Sequence, residues 1–366
     1  MKILIINNSS KSIFQFRFEL IKNLLNKNCE VHIFCENDGR LDELQNIGCK
    51  IKEYKFNNSS YGIINNSFLL LNIYFYIKKN SFDFVFTYGI KANVYSGIVS
   101  IFLNYNNINI ITGINTQIFL NKNYLLIYIT RLMYFLSGLN SNLIFLNSDD
   151  KDFYKKNICK IRNKYFMMKS EGVNVDKFLN YKNTNMLNKK FTFLLACRLI
   201  KHKGLNEYLE VAKLFHKKNI DVNFYIAGSQ YKSRNSININ KIHNLHKKKI
   251  INYLGEIKDI REIISKSHCI VLPSYREATG MILVEGALMG KPLIASNVPG
   301  CNTVVIDNFN GYLVEKENVI DLFNKMFKMY KLDKDKYAIL SSNSVYQGKK
   351  FDVKNNIKIY NEILSL

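Results

Sequence analysis

Residues 271–300 read VLPSYREATGMILVEGALMGKPLIASNVPG, and this stretch decides how the second half of the chain folds. The apolar run 268–273 predicts a buried strand, and the residues from Gly280 onward predict a helix. Glu277 lies in the loop between them, and Glu285 follows one turn into the helix. This order of strand, loop and helix is typical of one unit of a parallel sheet, with both carboxylates at the same edge.

The start of this predicted helix is a candidate anion site. The first N–H groups of a helix have no partner within it and lie at the positive end of its dipole. Here Thr279, Gly280 and Met281 supply these groups, which suits a diphosphate, while Glu277 and Glu285 can accept hydrogen bonds from ligand hydroxyls on either side. A simpler interpretation is that the two glutamates only stabilise the helix dipole, and their spacing alone does not exclude it.

Short apolar strands alternate with longer helical segments along the whole chain, which indicates right-handed βαβ units and parallel sheets. One series runs over residues 1–180 and a second over 181–351, with a polar stretch at 180–190. Apolar residues recur at helical spacing within 352–366, so we expect a last helix that packs back on the first domain. We predict an α/β protein of two Rossmann-like domains whose sheets face a central cleft, with ligands beyond the carboxyl ends of the strands.

The composition suits two globular domains with a strongly basic surface. The net charge is +23, from 52 basic and 29 acidic side chains among 366 residues. Such a surplus favours phosphorylated ligands, nucleic acid or an anionic membrane surface, although single lysine runs are typical of exposed positions. A nucleic-acid-binding protein would need a basic stripe interleaved with stacking aromatic residues or a recognised module, and the sequence has neither.

Cysteine and histidine spacing predicts neither disulfides nor a metal site. The seven cysteines occur singly, at positions 29, 35, 49, 159, 197, 269 and 301. An odd number without a CxxC pair indicates reduced thiols in a cytosolic setting. His243 and His246 have helical spacing but no carboxylate or thiolate nearby, so we expect them to bind no metal.

The apolar segments are too short to cross a membrane. The N-terminal run is shorter than the apolar core of a signal peptide. The stretch Tyr124–Leu139 is interrupted by Arg131 and falls short of the roughly 20 apolar residues that a spanning helix needs. We therefore expect a soluble or peripheral protein. The aromatic-rich segments Phe68–Ile77 and Tyr124–Leu139 also suit contact with lipid headgroups, but burial against the first sheet is the simpler prediction for most of their residues.

Taken with its flanking motifs, the pair Glu277 and Glu285 resembles the hallmark of the GT-B glycosyltransferases of family 4. The resemblance covers nearly the whole chain. The other matching segments are Ser12–Arg17, Asp83–Ala92, Thr112–Gly113, Asn147–Asp150, Gly172–Asn174, Arg198–Gly204 and Asn310–Val314. The most similar subgroup contains bacterial enzymes that extend lipid-linked oligosaccharides, such as N-acetylgalactosaminyltransferases.

This resemblance implies transfer of a hexose or N-acetylhexosamine, with retention of configuration, from a nucleotide-sugar, most commonly a UDP-sugar. Arg198 and Lys203 would bind the donor diphosphate, Glu277 the donor sugar and Glu285 the ribose. Gly255 would lie near the base, and the helix start at Thr279, Gly280 and Met281 would complete the donor site. No metal or other cofactor is implied. Physical chemistry agrees with the roles of Arg198 and Lys203, because loops after parallel strands bind phosphate and cations stabilise a leaving diphosphate. A simpler interpretation is that both residues belong to an exposed basic loop.

The implied acceptor is a polyprenyl-diphosphate-linked saccharide of O-antigen, capsule or glycan biosynthesis, at the inner face of the cytoplasmic membrane. Residues 1–180 would form the acceptor domain and residues 181–351 the donor domain. Candidate acceptor residues are Arg17, expected to open a helix, together with Tyr88, Lys91 and Thr112. Simpler interpretations are a surface position for Arg17 and aromatic packing for Tyr88.

Two departures from the family pattern keep alternatives open. Residues 278–280 read Ala-Thr-Gly where the family has Gly-x-Pro, and the first domain lacks the family's acceptor-side histidine. One alternative is therefore a membrane-associated scaffold of the same fold with altered catalysis. Others are a diacylglycerol or soluble sugar as acceptor, or a basic nucleic-acid-binding protein.

Overall fold

The computed structural model describes residues 1–55, 63–114, 124–158, 160–161, 163–181, 189–230 and 236–366. The chain divides into two compact units. One consists of Met1–Gly172 together with Val353–Leu366, and the other is Val173–Asp352.

The first unit contains a sheet in which all seven described strands are parallel, in the order β3-β2-β1-β4-β5-β6-β7. Its strands are β1 (Lys2–Ile6), β2 (Glu30–Cys35), β3 (Lys50–Glu53), β4 (Phe84–Tyr88), β5 (Asn106–Ile111), β6 (Ser141–Phe145) and β7 (Tyr165–Met167). Its helices are α1 (Ser10–Asn26), α2 (Leu41–Asn46), α3 (Ile63–Asn80), α4 (Ile90–Phe102), α5 (Tyr124–Gly138) and α6 (Ser148–Asn157).

Helices cover both faces of this sheet, so its central strands are continuous apolar runs. Along β1, Ile3 and Ile5 pack in the core that includes α1, whereas Leu4 and Ile6 pack in the core that includes α3 and α4. Successive side chains of a strand point to opposite faces, and this alternation places one core on each side of the sheet.

The second unit repeats this plan with six described parallel strands, in the order β10-β9-β8-β11-β12-β13. The strands are β8 (Thr192–Ala196), β9 (Asn223–Ala227), β10 (Asn252–Tyr253), β11 (Cys269–Leu272), β12 (Leu293–Ser296) and β13 (Gly311–Val314). The helices are α7 (Val175–Leu179), α8 (Leu205–Lys217), α9 (Ile239–Lys247), α10 (Ile260–Ser265), α11 (Met281–Leu288), α12 (Val319–Tyr330) and α13 (Lys334–Gly348).

The boundary between the units lies earlier than the expected residue 180. The Val173 N–H donates to the Phe351 carbonyl at 3.0 Å, and Val175 is buried in the core of the second unit, so the chain joins that unit at Val173. The last helix, α14 (Val353–Leu364), belongs to the first unit, where Tyr360 and Leu364 enter the core that contains α1. Residues 182–188 of the polar stretch lie outside the described residues.

In each sheet the chain starts at a central strand, builds one half, and then returns to build the other. The reversal lies between β1 and β4 in the first unit and between β8 and β11 in the second. Ligands of open parallel sheets bind at the carboxyl ends of the two strands that flank such a reversal. The fold therefore points to the loops after β8 and β11.

The fold bears on the predictions for the cysteines and for membrane-spanning helices. The six cysteines within the described residues are free thiols, and Cys159 lies outside them. No helix in the described ranges combines the length and the apolar character needed to cross a membrane.

Candidate active site

The loop after β8 carries Arg198 and Lys203 and ends in a glycine that the fold requires. Residues Lys201–Lys203 form a 3-10 turn, and Gly204 follows with φ +70° at the start of α8. A Cβ atom on Gly204 would lie 1.9 Å from the Pro273 carbonyl oxygen of the loop after β11. Only glycine lets the two loops approach this closely.

Tyr275 ties these two loops together from the other side. Its backbone N–H donates to the His202 carbonyl at 2.9 Å, and its hydroxyl donates to Glu207 in the first turn of α8 at 2.7 Å. The second carboxylate oxygen of Glu207 is buried and has no hydrogen-bond partner among the residues that the structure describes. Neither Tyr275 nor Glu207 was expected from the sequence, although Tyr275 lies within the decisive motif.

This junction brings Lys203 and Glu277 into contact. The Lys203 ammonium donates to Glu277 Oε1, which also accepts a hydrogen bond of 2.8 Å from the Ser274 hydroxyl. The side chains of Lys203 and Glu277 are 17% and 10% exposed. Charge-assisted hydrogen bonds of this kind are stronger than neutral ones, so the pair holds both side chains at the loop junction. Ser274 was also not expected from the sequence.

A third loop supports the one that carries Glu277. Gly300, in the Pro-Gly pair that ends the decisive stretch, has φ +82°. A Cβ atom there would lie 2.6 Å from the carbonyl oxygens of Glu277 and Ala278. The Pro-Gly motif therefore serves the site by letting its backbone pack directly against this loop.

Helix α11 begins next to Glu277. Gly280 is its N-cap residue and makes no side-chain capping hydrogen bond. Thr279 is buried and Met281 is half-buried. A helix start without a capping side chain directs its N–H dipoles outward, which suits an anion.

Glu285 lies one turn into α11 and is 8% exposed. Burial raises the pKa of Glu285 to about 8, and the nearby Asp259 carboxylate adds to this rise. Asp259 is the N-cap of α10 and binds Arg261, whose guanidinium lowers the pKa of Asp259. The proximity of Asp259 to Glu285 was not expected, because the two residues belong to different helices.

The other candidates of the second unit lie at the same edge of its sheet. Arg198 is exposed and follows the end of β8. Gly255 follows β10 with φ +70°, and its carbonyl accepts from the Gly228 N–H at 2.7 Å. No atom of the described residues lies within 4 Å of the position that a Cβ would take. The structure thus brings Lys203 and Glu277 into direct contact and leaves open space at Gly255.

The lysine of the motif GKPLIAS lies away from this edge. Lys291 precedes β12, is buried, and donates to the Ser265 carbonyl at the end of α10 at 3.2 Å. Burial lowers the pKa of Lys291 to about 8. A cation at a helix C-terminus stabilises the helix, so Lys291 has a structural role.

In the first unit, Arg17 and Tyr88 have internal partners. Arg17 does not open a helix, since α1 begins at Ser10, and it is 3% exposed, so it is not a surface arginine. Its guanidinium donates to Glu171 at 2.6 Å and lies 4.1 Å from the centre of the Tyr88 ring. The Tyr88 hydroxyl forms a hydrogen bond of 2.8 Å with that of Tyr360. Burial raises the pKa of Glu171, and Arg17 opposes this rise.

Lys91 and Thr112 lie at the carboxyl ends of the neighbouring strands β4 and β5. Both are half-buried, and burial lowers the pKa of Lys91. Asp150, in the first turn of α6, accepts hydrogen bonds from the Asn147 amide and the Ile114 N–H. Within the described ranges, no group of three or more His, Cys, Asp or Glu residues is arranged to hold a metal ion.

Two protein-family models match the chain. The model of glycosyl transferases group 1 matches residues 177–345, and a glycosyl transferase 4-like model matches residues 2–148. The first of these contains every candidate donor-site residue, and together they cover most of the chain.

Relatives of known activity match along most of their length. The N,N'-diacetylbacillosaminyl-diphospho-undecaprenol alpha-1,3-N-acetylgalactosaminyltransferase of Campylobacter jejuni is 24% identical, over 100% of this chain and 99% of the relative. The UDP-Gal:alpha-D-GlcNAc-diphosphoundecaprenol alpha-1,3-galactosyltransferase of Escherichia coli is 25% identical, over 85% and 82% respectively.

The likeness to solved structures shows the fold. Anabaena HepE in complex with UDP and glucose superposes with a TM-score of 0.80 at 17% identity, covering 100% of this chain and 99% of that chain. The fold is GT-B, as predicted, and the comparisons favour the enzyme over the scaffold and the nucleic-acid-binding protein. The chain is a glycosyltransferase that belongs to the glycosyl transferases group 1 family, with a glycosyl transferase 4-like N-terminal half.

Proposed function

We propose that this glycosyltransferase moves a hexose or N-acetylhexosamine from a UDP-sugar to a polyprenyl-diphosphate-linked saccharide, with retention of anomeric configuration. The observation that carries the donor half of this proposal is the contact between Lys203 and Glu277 at the start of α11. The acceptor half is supported by the relatives from Campylobacter jejuni and Escherichia coli, whose names both specify a diphosphoundecaprenol-linked saccharide.

In this proposal, Lys203 and Arg198 bind the donor diphosphate together with the N–H groups at the start of α11. Negative charge grows on the diphosphate as its bond to the anomeric carbon breaks, and fixed cations and helix N–H dipoles stabilise that charge without reorganising. These groups supply the charge compensation that a metal ion provides in other transferases, so we propose that the reaction needs no metal or other cofactor.

The two glutamates would then bind the remainder of the donor. Glu277, fixed by Lys203 and Ser274, is proposed to contact the transferred sugar, and Glu285 the ribose hydroxyls. The base is proposed to lie at Gly255, where the described part of the chain leaves space beside the backbone. A buried carboxyl group can bind both hydroxyls of a vicinal diol, which ribose provides, because it accepts from one hydroxyl and, when protonated, donates to the other.

For the acceptor, we propose Lys91 and Thr112 as contact residues, since they lie at the carboxyl edge of their sheet. Arg17 and Tyr88, which bind Glu171 and Tyr360, would support that edge from within. A lipid-linked acceptor is held in a bilayer, so we also propose that the protein works at the inner surface of the cytoplasmic membrane.

The donor half is tested by thermal stabilisation of the purified protein with UDP, GDP, ADP and a single-stranded oligonucleotide. Ligand that binds only the folded state raises Tm in proportion to the logarithm of its concentration over Kd. We expect UDP to raise Tm and the oligonucleotide to have no effect. The stabilisation by UDP should disappear in Lys203→Ala.

Lys213→Ala is the matched control, because Lys213 forms an ion pair with Glu210 on the same α8 helix. It should keep the full response to UDP. Absence of any nucleotide response in the wild type would favour the catalytically altered scaffold, and a response to the oligonucleotide alone would favour the nucleic-acid-binding alternative.

A further inference from the structure

Helix α5 (Tyr124–Gly138) differs from an ordinary surface helix in the size of the apolar side that it exposes. Its inner side carries Ser137, which is buried with its carbonyl accepting from the Asn109 amide at 3.1 Å and from the Ser141 hydroxyl at 2.6 Å. Surface helices normally bury an apolar stripe and expose polar residues. The inner side of α5 does bury Tyr134 and part of Met133, and hydrogen bonds from Asn109 of β5 and Ser141 of β6 hold its last turn.

The outer side of α5 is apolar. Among the described side chains, the exposed apolar ones are Tyr124, Leu125, Tyr128, Ile129 and Leu132, which are between 41% and 80% exposed, and Arg131 is exposed as well. Their spacing of three, four and seven residues places them on a single stripe. A contiguous exposed apolar stripe of this size marks an interaction site.

A second stripe runs along α3 (Ile63–Asn80). Phe68, Leu71 and Phe75 are 57%, 48% and 61% exposed, and Lys78 and Lys79 continue the same side of the helix. Helix α4 packs against both α3 and α5, so the two stripes flank one helix on the same face of the sheet.

The charges of these three helices have one sign. They contain Lys78, Lys79, Lys91 and Arg131 and no aspartate or glutamate, in a chain of net charge +23. Apolar and tyrosine side chains beside cations, without acids, match the interface of an anionic bilayer, where aromatic rings lie at the headgroup level and basic residues attract the lipid charge. A protein partner selected for specificity would be expected to meet both signs of charge.

We propose that the exposed stripes of α3 and α5 form a docking surface for an anionic lipid bilayer. The proposal deepens the proposed function, because a membrane-bound acceptor requires the enzyme to reach the bilayer. In this proposal, α3 and α5 lie on the surface of the bilayer, and their exposed side chains make the contact with lipid.

The absence of tryptophan from the chain makes a direct test possible. A single tryptophan introduced as Tyr128→Trp or Phe75→Trp reports the polarity at that position alone. On addition of vesicles of phosphatidylcholine with phosphatidylglycerol, the emission of both variants should shift to shorter wavelength. Tyr346→Trp is the matched control, because Tyr346 is 60% exposed in the second unit, and its emission should not change.

A second measurement gives the contribution of the two stripes to the affinity for the bilayer. Flotation with the same vesicles should show binding of the wild type, and the double variant Phe75→Ser, Tyr128→Ser should bind about tenfold or more weakly. The control Ile320→Ser, Tyr346→Ser removes equally exposed side chains elsewhere and should bind as the wild type does. Vesicles of phosphatidylcholine alone should bind the wild type and both double variants only weakly.

Vesicle binding needs neither donor nor acceptor, so its failure and the failure of the proposed transferase reaction are separate results. An unshifted emission in both tryptophan variants would overturn the proposal. So would a wild-type dimer in solution that dissociates in the double serine variant, since the stripes would then be covered by a second copy of the chain.

Discussion

Lys203 and Glu277 are 74 positions apart in the sequence, and their side chains form an ion pair where the loops after β8 and β11 meet. The two strands are neighbours in the sheet and flank the point at which its chain order reverses. A cation and a carboxylate are thereby fixed beside the start of α11, at the position where open parallel sheets bind their ligands.

Removing either member of this pair should abolish sugar transfer without unfolding the protein. For Lys203→Ala we expect kcat to fall by about 10²-fold or more, because a preorganised cation that stabilises the leaving group is lost. Glu277→Ala should lose activity to a similar extent. Product formation from a nucleotide-sugar, with circular dichroism as the folding check, measures both.

The double variant Lys203→Ala, Glu277→Ala is compared with the two single variants to test whether the side chains act together. If Lys203 and Glu277 act as one unit, the double variant should be no worse than the poorer single variant. Lys213→Ala should retain wild-type turnover. Wild-type turnover in either Lys203→Ala or Glu277→Ala would remove the site from this location.

The buried Glu285 predicts a pH dependence of stability. Its folded-state pKa of about 8 is raised above its ordinary value of 4.5, so the folded state holds this proton more tightly than the unfolded state does. The resulting stabilisation is present in full below about pH 4.5 and is lost as the pH rises through about 8. Glu285→Gln, which mimics the protonated acid, should equal the wild type in Tm near pH 5 and exceed it near pH 9.

Ile320→Ala serves as the control, because Ile320 is exposed in α12 and has no titratable group, so its Tm difference from the wild type should not depend on pH. A constant difference for Glu285→Gln would show that Glu285 is not buried as described. Loss of UDP binding in this variant would additionally support the proposed contact with ribose.

Alanine variants of Gly204 and Gly255 distinguish the destabilisation caused by steric overlap from that caused by a left-handed backbone, because both glycines have φ +70°. Alanine at Gly255 meets no atom of the described residues within 4 Å and should cost only the penalty of a left-handed backbone, about 1–2 kcal/mol. Alanine at Gly204 would additionally overlap the Pro273 carbonyl. Thermal denaturation should show a loss of Tm for Gly204→Ala at least twice that for Gly255→Ala, and equal losses would contradict the close approach of the loops.

Variants of Tyr88 and Lys91 distinguish a role in internal packing from a role in acceptor binding. Tyr88→Phe removes the hydrogen bond to Tyr360 and should lower Tm slightly, while the KM for the acceptor stays unchanged. Lys91→Ala should raise the acceptor KM with little change in the donor KM. Steady-state kinetics with both substrates measures this, and the opposite assignment of effects would place Tyr88 at the acceptor.

Much of the fold is predictable because its strands are short apolar runs between amphipathic helices. The parallel sheets and the packing helix at the C-terminus follow from periodicity in β1, β11 and α14. Helix α13 (Lys334–Gly348) was missed, because a polar sequence without a clear apolar stripe gives little periodic signal, although Asp333 caps its start. The domain boundary at Val173 follows from contacts with residues distant in sequence, among them the hydrogen bond to Phe351, which sequence patterns do not reveal.

Residues of the candidate site were predictable from the sequence only where they belong to a recognised motif. Lys203 and Glu277 were predicted as separate candidates, but their contact depends on the approach of Gly204 to Pro273. Ser274, Glu207 and Asp259 were missed because nothing in their local sequence shows which neighbour they face. Arg17 was misplaced because the internal partner Glu171 is 154 positions away.

The most direct test of the central claim is transfer by the purified wild type from UDP-N-acetylgalactosamine or UDP-galactose to a polyprenyl-diphosphate-linked saccharide, with the anomeric configuration of the product determined by NMR. We predict an added sugar in the α configuration of the donor, formed after addition of a metal chelator, and no product with Glu277→Ala. A product of inverted configuration, or equal product from Glu277→Ala, would contradict the account.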